Sequence, residues 1–263
     1  MKGKLLYLDH NVAIDVLKRR RPEVAAAVKQ FRGLGGRIVY SPAHVEEIAN
    51  IYRTDATDAD CDIYIQAHLN FFADLTDCWE FLPSQSGPVI LRQEHPSVCF
   101  KRVIDQYDLT YIAEGNEGAL REQLPPSSSP PPPVDVFKDP EILRIFETRL
   151  AFRGYRDLEI PYGSKLRESY ATTSALVEMC FRSMRDAGFG RERESGMRSS
   201  IHDTTHAAYG VMADVFLSRD NRLLAMVRAC YKMLQAECVP MSSEEFVAEM
   251  DRQRQPHKKP DIQ

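Results

Sequence analysis

The chain has 263 residues, of which 43% are hydrophobic and 27% are charged, and its formal net charge is −4. These proportions are ordinary for a soluble globular protein. The weak negative charge excludes a global attraction to nucleic acid, so any such binding depends on local basic patches.

The cysteines and the N-terminus bear on the cell compartment. The six cysteines are scattered without a CxxC pair, which predicts reduced thiols and a cytoplasmic protein. The apolar run near the N-terminus is too short for a signal peptide, and no stretch has the character of a membrane span. We therefore expect no association with a membrane.

The first predicted strand ends at an acid. Leu5 to Leu8 is a short apolar run, and the pattern of Asn11 to Leu17 predicts the start of a helix. Asp9 is therefore expected at the C-terminal edge of the first strand.

The second predicted strand, residues 38–40, leads into a helix that carries two adjacent glutamates. Ser41 is a suitable helix cap, and Pro42 suits the first helical position. Glu46 and Glu47 follow within about two turns. Two apolar stripes are equally consistent with this helix, so periodicity alone does not choose between the two glutamates.

The middle of the chain is predicted to be mainly helical. Helices are expected for residues 60–77, 140–153 and 164–187, and a strand for residues 79–82. Residues 123–134 are rich in proline and predict an extended, mobile loop. Residues 188–196 form a charged loop that contains glycine, and its place suits a gate for substrate.

The segment Ser200 to Leu224 predicts a helix that starts at Asp203 and leads directly into a buried strand over residues 215–217. A helix that packs on the sheet after such a turn runs antiparallel to the strand. Asp203 should therefore meet Asp220, which follows the strand. Asp214 opens the same strand and is expected about 15 Å away, at the opposite edge of the sheet.

The C-terminal region predicts one more strand and helix. The strand is expected over residues 236–239, and the final helix runs from Ser243 to Met250 with the features of a capping box. Residues 251–263 are expected to form a disordered tail.

The sequence thus predicts that four acids lie at the carboxyl edge of the parallel sheet. The carboxyl ends of strands in an open parallel sheet are where ligands bind. Asp9, one of the two glutamates, Asp203 and Asp220 come from four separate segments and converge at that edge.

The segments LLYLDHNVAIDVL, YSPAHVEEI and HDTTHAAYGVMADVFLSRDNRLL resemble the three signature regions of PIN-domain ribonucleases, which include the toxins of bacterial toxin–antitoxin pairs. The resemblance implies that the second acid is Glu47, because it stands six residues after Ser41. The implied metal-binding and catalytic acids are Asp9, Glu47, Asp203 and Asp220. Asn11 and Ser218 are implied as groups that orient these carboxylates.

The resemblance implies a three-layer α/β fold with a central, mainly parallel sheet between helices. One PIN-like domain would cover residues 1–250, with its core in residues 1–82 and 199–250. Residues 83–198 would then be a helical insertion. His10 and His206 depart from the family pattern, because Thr or Ser is usual at the first position and small residues are commoner at the second.

The implied activity is metal-dependent hydrolysis of RNA by an endoribonuclease, which could serve as a toxin or a defence effector. Mg²⁺ and Mn²⁺ prefer carboxylate and water oxygens, and paired ions can activate water and stabilise the departing oxygen. The expected partners are RNA, an inhibitor or activator protein and a second copy of the chain.

Other interpretations stay open at this stage. Asp9 and Asp220 could be helix caps, and Asp203 could be a charge favoured by a helix dipole. His202, Asp203 and His206 also form an HDxxH string, which is similar to the metal site of all-helical phosphohydrolases. His206 could instead be a buried, hydrogen-bonded helix residue. Four side chains are candidates for substrate binding: His202, His206, Arg198 and Arg219.

Two further functions are compatible with the same sequence. One is a catalytically weak PIN-like module that binds RNA or a protein as a scaffold. The other is a DNA nuclease with the same site, since chemistry at a phosphate does not by itself discriminate the 2′-hydroxyl.

Overall fold

The computed structural model describes residues 1–49, 58–84, 86–106, 130–155, 160–190 and 197–254, and of residues 58, 59, 106 and 197–200 it describes the backbone alone. The strands are β1 Leu5–Leu8, β2 Arg37–Val39, β3 Trp79–Leu82, β4 Ile90–Gln93, β5 Val215–Ser218 and β6 Val239–Ser242. The α-helices are α1 His10–Leu17, α2 Pro22–Gly33, α3 Pro42–Ala49, α4 Asp58–Thr76, α5 Pro96–Gln106, α6 Pro140–Phe152, α7 Tyr170–Asp186, α8 Met197–Gly210, α9 Asn221–Leu234 and α10 Ser243–Arg254.

Four strands form a parallel sheet in the order β2-β1-β5-β6. Leu6 of β1 lies between Ile38 of β2 and Val215 of β5, and Phe216 pairs with Pro240 of β6. All four strands therefore end at one edge of the sheet. Asp9 and Asp220 follow β1 and β5 at that edge, as the sequence predicts.

A two-stranded antiparallel sheet, β3 with β4, continues the parallel sheet beyond β2. A single parallel bridge joins Tyr40 to Glu80, with hydrogen bonds from Tyr40 N to Trp79 O at 2.9 Å and from Phe81 N to Tyr40 O at 2.8 Å. The segment predicted to be a helical insertion thus contains one strand, β4, that contributes to this extension.

Helices cover both faces of the parallel sheet. Because side chains alternate along a strand, Leu6 and Leu8 enter one core with α1, α2 and α10, whereas Tyr7 enters the other with α7, α8 and α9. Phe216 lies on the same side as Tyr7. The predicted α/β architecture of a parallel sheet between helices is confirmed. None of the helices described here is both long and apolar enough to cross a bilayer.

The predicted start of the helix before β5 is wrong. Helix α8 begins at Met197, so that Asp203 lies about two turns inside it and not at its N-terminus. The polar residues of its first turns carry no periodic signal. A helix that packs well in its later turns can continue through such a stretch, because tertiary packing supplies most of helix stability in proteins.

The helix predicted for residues 164–187 is divided. Residues Gly163–Glu168 form a 3₁₀ helix, and α7 starts only at Tyr170. The hydroxyl of Ser169 accepts a hydrogen bond from Thr172 N at 3.3 Å. Ser169 is therefore the cap at which the division falls.

Two boundaries near the C-terminus also differ from the prediction. Gln235 ends α9 in the left-handed conformation, with φ at 53°, so the chain turns before β6 begins at Val239. Helix α10 begins at Ser243 as predicted, and Ser242 and Glu245 form the capping box. The helix then runs on to Arg254, into the segment predicted to be a disordered tail. The predicted loops over residues 123–129 and 191–196, and the tail beyond Arg254, lie outside the described residues.

Candidate functional site

Two of the four acids cap helices at the carboxyl edge of the sheet. Asp9, which is 3% exposed, accepts a hydrogen bond from Asn11 N at 2.8 Å at the start of α1. Asp220 accepts from the backbone N–H groups of Arg222 and Leu223 at 2.8 and 3.0 Å at the start of α9. Both are therefore helix caps, and in each case the cap holds the carboxylate at the edge where the strands end.

Ser218 connects these two acids. Its hydroxyl donates to Asp9 Oδ2 at 2.6 Å and accepts from Asp220 N at 3.1 Å. Ser218 is fully buried, so this link is sheltered from water. Asn11, the other residue expected to orient the carboxylates, acts on Asp9 through its backbone N–H, and its side chain is exposed.

Asp203 lies on α8, the helix that precedes β5 in the chain. Burial, followed by the nearby charges of Asp9, Asp220 and Glu47, raises the pKa of Asp203 to about 8, and the charge of Arg185 opposes this rise. Arg185 belongs to α7, and its Nη2 lies 3.5 Å from Thr204 Oγ1. Asp203 is thus within electrostatic reach of each of the other three predicted acids.

The environment of Asp9 repeats this pattern. Burial raises the pKa of Asp9 to about 6, and the charges of Glu47 and Asp220 act in the same direction. The hydrogen bonds from Ser218 and from Asn11 N oppose the rise, because they stabilise the ionised form. Asp9 therefore holds a charge that its surroundings disfavour.

The two adjacent glutamates of α3 have different surroundings. Glu47 acts on the pKa values of both Asp9 and Asp203, and its Oε1 lies 2.6 Å from His206 Nε2. Burial raises the pKa of Glu46 to about 7, with Glu47 as the second cause, and Glu46 in turn acts on Tyr209. Glu47 is the glutamate that faces the acid cluster.

His206 is buried between protein groups. It is 2% exposed, and its Nδ1 lies 2.7 Å from Tyr7 Oη while its Nε2 contacts Glu47. Burial lowers the pKa of His206 to about 3. These contacts agree with the interpretation of His206 as a buried, hydrogen-bonded helix residue.

Tyr7 and His44, two polar residues beside the cluster, were not predicted from the sequence, and Ser41 was predicted only as a helix cap. Tyr7 lies inside an apolar strand, and its Oη is 2.7 Å from Ser41 Oγ. His44 Nε2 donates to Leu8 O at 2.8 Å, and its Nδ1 accepts from Ser41 N at 3.1 Å. The hydroxyl of Ser41, which precedes α3, is therefore bound to Tyr7 in the core. A polar group inside an apolar run was the only available hint.

Asp214 lies where the direction of the strand predicts. Its Oδ2 accepts from Leu5 N at 2.7 Å, at the edge where β1 and β5 begin. This edge is opposite to the one that carries Asp9 and Asp220. The expectation that Asp214 stands apart from the acid cluster is confirmed.

The candidate substrate-binding side chains differ in their surroundings. Both oxygens of the buried Asp15 accept hydrogen bonds from Arg219 Nη1, at 2.7 and 2.9 Å, which ties the end of β5 to α1. His202 is half-buried on α8. Arg198 lies in the first turn of α8, and the structure describes only its backbone.

The donor set suits a hard divalent cation in chemistry and charge. Carboxylates are the ligands that Mg²⁺ and Mn²⁺ prefer, and a bound cation would relieve the repulsion among the four acids. Within the described ranges, however, no group of three or more His, Cys, Asp and Glu side chains stands ready to hold a metal ion. Glu47 Oε1 and Asp220 Oδ1 accept hydrogen bonds, so metal binding would use the other oxygen of each carboxylate and would require the four acids to move closer together.

No protein-family model matches the chain, and neither does any curated protein or any solved structure.

Proposed function

We propose that this chain is a metal-dependent endoribonuclease with a PIN-like fold. The observation that carries the proposal is the convergence of Asp9, Glu47, Asp203 and Asp220 from four separate segments at the carboxyl edge of a parallel sheet. Clustered carboxylates repel one another and so destabilise the fold, which means that stability does not explain why they lie together at this edge. A role for them as ligands of a cation explains the arrangement.

The roles proposed for the residues follow from their contacts. The four carboxylates would bind Mg²⁺ or Mn²⁺, and Ser218 would keep Asp9 and Asp220 in a fixed relation. When bound, such ions activate a water molecule and stabilise the departing oxygen of a phosphodiester. Arg185, whose charge lowers the pKa of Asp203, would hold a phosphate of the substrate, and His202, Arg198 and Arg219 are further candidates for substrate contact.

The architecture is compatible with this proposal. The parallel sheet, the helices on both of its faces and the edge at which the acids lie support a PIN-like core in residues 1–82 and 199–250. In this proposal residues 83–198 are an insertion, which would carry the docking surface for an inhibitor or activator protein. A cytoplasmic toxin or defence effector, alone or as a homodimer, is the role that follows.

One experiment tests the proposal directly. Purified protein is incubated with RNA and DNA panels in Mg²⁺, Mn²⁺ or EDTA, together with the Asp203→Asn variant and with Asp214→Asn as the matched control at the opposite edge. We expect cleavage of RNA by the wild type and by Asp214→Asn, but none with EDTA or Asp203→Asn. Cleavage of DNA alone would reassign the substrate.

The same experiment separates the enzyme from a scaffold. Binding of RNA without cleavage by the wild type, in either metal, would contradict the proposal and favour the binding module. Cleavage that persists in Asp203→Asn would instead point to a contaminating nuclease or another site.

A further inference from the structure

We propose that His206, held in place by Tyr7 and Ser41, positions the Glu47 carboxylate for metal binding. The inference rests on the proposed function, since it concerns the same acid cluster. In this view His206 is a positioning residue that acts through Glu47 and does not touch the substrate.

The hydrogen-bond chain has a defined direction at Glu47. An ionised carboxylate only accepts, so the N–H on His206 Nε2 donates to Glu47 Oε1 over 2.6 Å. This direction holds in either protonation state of the ring. A neutral ring then has Nδ1 as its acceptor, which receives the Tyr7 hydroxyl hydrogen at 2.7 Å, and Tyr7 Oη accepts from Ser41 Oγ at 2.7 Å.

Four separate parts of the fold contribute to this chain. Tyr7 lies in β1, Ser41 follows β2, Glu47 lies in α3 and His206 lies in α8. Tyr7, Ser41 and His206 are each at most 2% exposed, so water does not compete for their hydrogen bonds. The ring of His206 is therefore fixed by buried partners before it contacts Glu47.

Glu47 needs such support. It is partly exposed, with 23% of its side chain accessible, and a glutamate has several rotatable bonds that a helix does not fix. Its Oε1 is bound to His206, while its Oε2 lies 4.0 Å from His10 Nε2. The contact with His206 thus selects one orientation of the carboxylate and leaves Oε2 as the oxygen that a cation would bind.

Glu46, which precedes Glu47 on α3, has different surroundings from the glutamate that His206 contacts. The charge of Glu46 helps to raise the pKa of the buried Tyr209. The glutamate that His206 binds is therefore the one whose charge raises the pKa of Asp9 and of Asp203. Groups that orient metal ligands typically change metal affinity by about 10–100-fold when they are removed.

The test measures Mn²⁺ affinity by calorimetry in the absence of RNA, together with kcat and KM for RNA cleavage. His206→Met removes the donor to Glu47 at similar volume, whereas His206→Gln can keep a donor near the place of Nε2. Tyr7→Phe removes only the hydroxyl that supports the ring. Tyr231→Phe is the matched control, because Tyr231 also has a buried hydroxyl, which donates to Ala207 O at 2.6 Å, next to His206 in the chain.

We expect Mn²⁺ affinity to fall about 10–100-fold in His206→Met and less in Tyr7→Phe, with partial recovery in His206→Gln. Saturating Mn²⁺ should restore much of the lost kcat, and KM for RNA should change little. Tyr231→Phe should keep the wild-type Mn²⁺ affinity. Thermal melts of all variants identify any that fail to fold, and Tyr7→Phe keeps the ring and its packing if His206→Met is lost.

The outcomes separate this inference from the proposed function. Wild type that cleaves RNA, together with a Tyr7→Phe variant and folded His206 variants that bind Mn²⁺ as tightly as wild type, would overturn the positioning role alone. An equal loss of affinity in Tyr231→Phe would also overturn it, since a general effect on the core would then be responsible. A wild type without metal-dependent cleavage would overturn the proposed function.

Discussion

Asp203→Asn is the substitution whose effect on stability follows most directly from the structure. Burial, and then the charges of Asp9, Asp220 and Glu47, raise the pKa of Asp203 from 3.8 to about 8. The folded protein therefore binds this proton more tightly than the unfolded chain does. The stability that the protonated carboxyl contributes is fully present below about pH 3.8 and is lost as the pH rises through about 8.

The size of the effect can be bounded. At about 1.4 kcal/mol for each pH unit, a rise from 3.8 to about 8 corresponds to at most about 6 kcal/mol. Because the carboxylate can turn towards solvent when it ionises, we expect Asp203→Asn to stabilise the metal-free protein by about 1–3 kcal/mol at pH 8.5. For a chain of this length that is about 2–4 °C in Tm for each kcal/mol.

The assay is urea unfolding in EDTA at pH 8.5 and pH 5.5, with Asp214→Asn as the matched control. The gain from Asp203→Asn should be larger at pH 8.5 than at pH 5.5, because the wild type loses stability progressively between about pH 3.8, where the carboxyl of the unfolded chain ionises, and about pH 8, where that of the folded protein does. Added Mn²⁺ should stabilise the wild type more than Asp203→Asn, because ligand binding stabilises the state that binds it. A metal-free Asp203→Asn protein that is no more stable than wild type at pH 8.5 would refute the reasoning about crowded charges.

The remaining predictions concern activity and control. Asp9→Asn and Asp220→Asn should each abolish RNA cleavage and keep the fold, because asparagine is also a good helix cap; circular dichroism and a cleavage assay check both parts. Asp214→Asn should keep cleavage within about tenfold, since its carboxylate lies at the far edge of the sheet; a larger loss would contradict that separation. Ser218→Ala should weaken Mn²⁺ binding by about 10–100-fold and move the acid limb of the pH–rate profile upwards, because Asp9 then loses the hydrogen bond that lowers its pKa; an unchanged profile would argue against the link. Expression of the wild type alone should be more toxic to a cell than expression of Asp203→Asn, and pull-downs should recover a specific inhibitor or activator; equal toxicity with no recovered protein would remove the support for restraint by a partner.

Local patterns were enough to predict the parts of this site that lie next to strands. Leu5 to Leu8 and residues 215–217 are short apolar runs, and a buried strand needs little more than such a run. Once the strands are placed, their common direction decides that Asp9 and Asp220 share an edge and that Asp214 lies at the other. The position of these acids is therefore a consequence of sequence and of the geometry of parallel sheets.

Several boundaries depended on contacts that no local pattern contains. β4 is a half-exposed edge strand without a buried face to produce a signal, and β6 begins where a left-handed Gln235 allows the chain to turn. The start of α8 at Met197 lies in polar residues that join the helix because its later turns pack in the core.

Periodicity does not distinguish Glu47 from Glu46, and only the family spacing from Ser41 favours Glu47 in the sequence, whereas the tertiary structure distinguishes the two by a contact. One apolar stripe of α3 leaves Glu47 pointing away and another contains it, and only packing against His206, 159 positions away in the chain, gives Glu47 a buried donor. The same holds for Tyr7 and Ser41, whose hydroxyls meet between β1 and the start of α3. A sequence pattern reports which residues share a face of one helix or strand, whereas a hydrogen bond between distant segments exists only after packing has brought their side chains to within about 3 Å.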